Sequence, residues 1–177
     1  MIITNENFYG GSMNKINRLG LTDIYIEVKD IISSTYIEIL DKTNSNSAGE
    51  VRKRLDNEFL SREWIKENKN GLNWFKERGV NQEIIVRLGV MLQISSRSDS
   101  LTRDIVLLRN SFYADNIDAC ILVVPNDETG SYLTDRTPSA KDVLRCLEVD
   151  FKEAANLPIV VLEVNYDRIG RIMPKLY

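Results

Sequence analysis

Hydrophobic positions along the chain change period several times, and each change marks an element. Residues 1–20 are polar and Gly/Asn-rich, and with a turn at Gly10-Gly11 they read as a flexible lead-in. From Thr22 a periodic pattern starts, with Thr22 or Asp23 as the cap of a helix running to about Asp41 and burying Ile24, Val28, Ile31, Ile32 and Ile39. Ile24, Ile26 and Val28 also alternate as a strand does, so the start of this segment supports both readings. Lys42 to Ser47 is a polar loop. Glu50 to Asn68 reads as an amphipathic helix, with Val51, Leu55, Phe59 and Leu60 on one face and Trp64 near its end. The period then shortens. Ile84 to Ser95 (IIVRLGVMLQIS) is a largely buried strand, or two short ones with Gly89 as a bulge or bend. A loop at 95–99 leads to a helix over Leu101–Tyr113. Ala119 to Val124 (ACILVV) is a second strand, ended by Pro125, and Asn126 to Pro138 is a long loop. Ser139 caps a helix to Ala155, and Ile159 to Val164 is a third strand. That order predicts one α/β domain over 1–177, with right-handed crossovers and a central sheet covered on both faces.

Composition narrows the chemistry. The 177 residues contain no His, which excludes Ser-His and Cys-His dyads, His-based zinc sites and a histidine general base. Carboxylates working with an oxygen-loving metal, Lys or Tyr chemistry, or no catalysis remain. A net charge of -3, with the stretch 111–177 the more acidic part, argues against a broad nucleic-acid surface but not against a locally basic cleft. Cys120 and Cys146 lie among apolar residues and read as buried small hydrophobes in a reduced compartment. No run is long and apolar enough to span a bilayer, and Met1–Gly11 lacks the regions of a signal peptide, so a cytoplasmic protein without a membrane partner is expected.

Several segments carry a likeness to a known group. They are the helix EVRKRLDNEFLSREWIKEN, the strand VMLQIS with a serine-rich loop after it, and the helix holding Asp104 and Phe112-Tyr113. DNIDACILVVP follows, then a long loop, a helix and LPIVVLEV. Over roughly residues 21–166 the chain resembles the BglII/BstYI group of Type II restriction endonucleases. The resemblance implies a restriction-endonuclease-like fold, a central mixed β-sheet flanked by helices. It also implies a homodimer that cuts palindromic duplex DNA with a GATC core, using Mg²⁺ in a variant PD-(D/E)XK site. Such a site needs carboxylates, because Mg²⁺ takes oxygen ligands, orients the phosphate and acidifies a bound water.

The chain departs from that pattern at the metal ligands. Gln93 matches the Gln of the group's Glu-x-Gln strand, but Met91 stands at the Glu position and Gln82 at the upstream Asp position. Glu83, one residue on, is the replacement carboxylate on offer. Met91 is a soft thioether on an apolar strand, so core packing is its simpler reading. If the protein is active, Mg²⁺ is its expected cofactor and Glu83 with Gln93 its catalytic pair; otherwise no cofactor is expected. Ser95, Ser96, Arg97 and Arg103 are the candidate DNA contacts, with Arg52-Lys53-Arg54 a further basic cluster whose simpler reading is a solvated helix face. Glu27-Val28-Lys29 forms a rival Glu-x-Lys, with Asp23 too close to serve as its upstream acid. The first reading is a homodimeric nuclease-fold protein without cleavage, binding duplex DNA or an active nuclease partner. The alternatives are an active Mg²⁺-dependent deoxyribonuclease and a protein-interaction module.

Overall fold

The computed structural model describes residues 1–42, 46–67, 71–79, 85–94, 98–133 and 137–170, the side chains of 98–100 excepted. In chain order it begins with β1 (Ile2–Phe8), α1 (Ser12–Arg18), α2 (Thr22–Ser34), β2 (Glu38–Leu40), α3 (Ala48–Ser61) and β3 (Ile65–Lys66). Next come β4 (Trp74–Gly79), β5 (Ile85–Leu92), α4 (Ser98–Tyr113), β6 (Ala119–Pro125), α5 (Asp127–Leu133) and α6 (Ala140–Arg145). A π-helical turn over Cys146–Asp150, a 3₁₀ turn, β7 (Ile159–Asn165) and β8 (Arg168–Gly170) complete it.

Six strands form one mixed sheet in the order β1-β7-β6-β5-β4-β3, and β2 pairs with β8 in a second, two-stranded parallel sheet. The three central strands β5, β6 and β7 are parallel, while β1 and β4 flank them antiparallel. A parallel centre needs cover on both faces, and the sequence supplies it. Ile121 and Val123 of β6 face a core shared with α1, α2 and α3, whereas Cys120, Leu122 and Val124 face one shared with α4 and α6. This is why ACILVVP has no polar alternation. Both cysteines are buried, as expected.

Several boundaries differ from the sequence reading, each for a local reason. Residues 2–8 are not a lead-in: they pair along β7, from Ile2 opposite Asn165 to Phe8 opposite Val160. As an edge strand β1 buries little, and Ile2 and Phe8 stay half exposed, so its polar sequence carries no strand period. α2 stops at Ser34 rather than near Asp41; the Thr35 hydroxyl donates to Ile31 O at 2.8 Å, and Ile39 joins β2 opposite Ile169. α3 ends at Ser61 because Glu63 is left-handed (φ 63°), turning Trp64 back edge-on to Phe59 at 5.1 Å. α5 stands within the expected loop, started by Asn126, whose Oδ1 accepts from Thr129 N at 2.8 Å. Ser139 does cap α6, its N–H donating to Asp142 at 3.0 Å, but the helix widens at Cys146, where Phe151 N reaches Cys146 O. Gly89 is neither bulge nor bend: it pairs in register with Phe75 and Cys120, and a side chain there would collide with Leu72, 2.8 Å from a built Cβ.

Candidate functional site: a polar cleft at the end of β5

Ligand clefts in parallel sheets form beyond the carboxyl ends of the strands, where loops part to either side. Here a cleft of about 520 Å³ opens beside the end of β5, lined by Asn73, Met91, Leu92, Gln93, Arg103 and Asp104, with Arg52, Gly71, Leu72 and Leu107 completing it. β4 and α3 brace one wall. Phe59 and Trp74 stack at 4.2 Å, and Asp56 accepts from Trp74 Nε1 at 2.9 Å and from Lys66 at 2.8 Å. α4 makes the other wall.

Met91 and Gln93, two apart on an extended segment, share the face toward α4. Met91 is 1% exposed and packs in the α4 core, which accords with the packing reading. Gln93 is also 1% exposed; its N–H extends the ladder to Val123 O at 2.9 Å, and its Nε2 donates to Asp104 Oδ2 at 3.0 Å. Its Oε1 is buried without a partner. Asn73 Oδ1 accepts from Leu92 N at 2.6 Å, tying β4 to the end of β5. Arg103, an expected DNA contact, lies in this cleft with its Nε and Nη2 each 3.2 Å from Asp104 Oδ1.

The sequence reading did not single out Asn73 or Asp104 as site residues. The signal for Asp104 is helical position: on α4 it falls three and four residues from Leu101 and Leu108, on the flank of the buried face. The basic triplet divides, Arg52 entering the cleft while Arg54 donates to Tyr36 O at 2.9 Å. Gln82, Glu83, Ser95, Ser96 and Arg97 lie outside the described residues. The rival pair does not form a strand motif. Glu27 and Lys29 sit on α2, about 200° apart around the helix, so Glu27 meets Lys76 of β4 at 2.8 Å and Lys29 meets Glu6 of β1.

The donors among the described residues do not fit a Mg²⁺ ion, which needs several oxygens with one or two free carboxylates among them. Among the described residues the cleft offers one carboxylate, and both Asp104 oxygens already accept hydrogen bonds. Met91 supplies sulfur and Gln93 turns its amide nitrogen to the acid. No group of three or more His, Cys, Asp or Glu that could hold a metal gathers anywhere among the described residues.

A mixed sheet with a parallel centre, helices on both faces and a polar cleft at one strand end defines an α/β protein of restriction-endonuclease architecture. Residues 17–163 match the family model described as restriction endonuclease BglII/BglIII, and the chain belongs to that family. The fold is similar to the crystal structure of free BglII, with a TM-score of 0.62 at 11% identity over 94% of this chain and 81% of that one. No curated protein matches the sequence. Among the described residues no helix is long and apolar enough to cross a membrane.

Proposed function

We infer that the protein binds duplex DNA through the cleft at the end of β5 and does not hydrolyse it. The family and the fold support the DNA half of this reading. The observation that carries the other half is the state of Asp104, the cleft's one described carboxylate, which is committed to Gln93 and Arg103 while Met91 stands where the family resemblance calls for a Glu. With no second carboxylate among the cleft's described residues, a hard cation finds no chelating pair there to drive a bound water toward hydroxide.

Two-fold pairing of identical chains suits a palindromic site, so the DNA-binding form in this reading is a homodimer. The test joins three measurements on purified protein: light scattering for the dimer, fluorescence anisotropy with GATC-containing and scrambled duplexes, and end-labelled cleavage in Mg²⁺ or Mn²⁺. Binding that prefers the GATC duplex, with no cut product on prolonged incubation, is the expected result. Specific cleavage by the wild-type protein refutes the reading, and Glu83→Ala then tests whether that carboxylate carries it.

A further inference from the structure

Among the described residues, two guanidinium groups and one carboxylate share the cleft, Arg52 from α3 and Arg103 and Asp104 from α4. The carboxylate is fixed. Its side chain is 19% exposed and is held by Gln93, whose own backbone is bonded into the sheet. The guanidinium is not fixed in the same way. The Arg103 side chain is 67% exposed, and both of its bonds fall on the single oxygen Asp104 Oδ1 at 3.2 Å. That contact is longer and less directional than a fork-to-fork pair, and an exposed pair of this kind is held weakly.

We propose that Arg103 is a transferable counter-ion. In the free protein it neutralises Asp104; when duplex DNA enters, it leaves Asp104 for a backbone phosphate beside Arg52, and the cleft holds the phosphodiester without a divalent cation. This rests on the DNA-binding reading above. A guanidinium matches phosphate geometry with two parallel donors, and each phosphate it neutralises releases condensed counter-ions. The Asp104 carboxylate left behind then repels the phosphate nearby, so it acts as a brake on affinity.

The sign of one substitution separates this from a metal-assisted cleft. Asp104→Asn keeps an acceptor for Gln93 but leaves Arg103 no anion to abandon, so DNA binding tightens. In Ca²⁺, a cleft that used Asp104 to hold a cation responds in the opposite direction.

The experiment is anisotropy with a labelled GATC-containing duplex, in EDTA and in Ca²⁺ across a salt series. For the wild type, affinity in EDTA equals that in Ca²⁺. Asp104→Asn binds tighter by about threefold or more. Arg103→Ala binds weaker by about tenfold, with the salt slope reduced by about one. Tighter wild-type binding in Ca²⁺, or weaker binding by folded Asp104→Asn, overturns the proposal and leaves the DNA-binding reading standing. Absence of binding to any duplex removes that reading as well. If Asp104→Asn melts early, Arg103→Gln at its exposed position carries the test through the salt slope, and an unchanged slope overturns the proposal.

Discussion

Met91→Glu places a carboxyl where the family resemblance calls for one, and its cost follows from the surroundings. Met91 is sealed in the apolar face under α4, with its sulfur 3.5 Å from Gln93 Nε2, which in turn bonds Asp104. A carboxyl moved there loses hydration and gains a like-charged neighbour, and both effects raise its folded pKa. A rise of that kind by about three powers of ten in acidity costs about 3 to 4 kcal/mol at neutral pH, or roughly 6 to 16 °C in Tm for a chain of this size. Because the folded pKa is raised, the penalty is least below the unfolded value near 4 and grows as pH rises toward the folded one. Mg²⁺ or Mn²⁺ should reverse part of it, since two carboxylates then flank one space; at about 100 times Kd a bound ion returns about 2.7 kcal/mol. The assay is thermal unfolding of wild type and variant in EDTA and in Mn²⁺, repeated across pH. A variant as stable as wild type in EDTA, or one that gains no more from Mn²⁺ than wild type does, refutes the reasoning about this position.

Three further outcomes follow from other parts of the molecule. Gly10→Ala should destabilise by about 2 to 4 kcal/mol in urea unfolding, because φ is +53° and a Cβ would press into the carbonyls of Asn156 and Leu157. Burial alone would push the Glu6 carboxyl up, but hydrogen bonds from Lys29 and Tyr25 outweigh it and hold the group below the usual range. The stability it contributes is therefore complete above the ordinary carboxylate pKa and lost as pH falls through the lower folded value, so Glu6→Gln should flatten the acid limb of urea midpoint against pH. Burial pushes the Cys120 thiol up, so a thiol reagent should modify it only as fast as the protein unfolds, a rate that denaturant raises.

What was legible in the sequence was whatever buries continuous apolar surface. The strands at 85–92, 119–125 and 159–165 and the face of α3 announce themselves because each contributes side chains to a closed core. The edge strand did not, since Asn5 and Glu6 stand opposite Glu163 and Leu162 of β7 as polar residues and leave no apolar period. Ile39 misled for the opposite reason: it is buried, but in the small β2-β8 sheet, whose partner lies some 130 residues away in sequence and is invisible to a local pattern. Glu27 and Lys29 show the same limit, because spacing alone cannot tell a strand face from two sides of a helix until Lys76 and Glu6 are found opposite them. Of the residues lining the cleft, Gln93 was singled out through the family resemblance and Arg103 as a basic candidate. Asn73 and Asp104 act through partners that only the fold brings near, Leu92 N and the Gln93 amide.

The pairing of β1 with β7 also sets an order of events on the ribosome. Residues 2–8 emerge before the other strands of the sheet, but the β7 residues they pair with lie at 160–165. At about 5 to 20 residues per second, synthesis leaves this strand without its mate for roughly 8 to 30 s. During that interval Ile2, Ile3 and Phe8 are open to chaperones or to another nascent chain, and α2 must dock without the edge strand it finally rests on. The last core strand made is therefore the one that locks the first, and a ribosome stalled before residue 159 holds a sheet that lacks both.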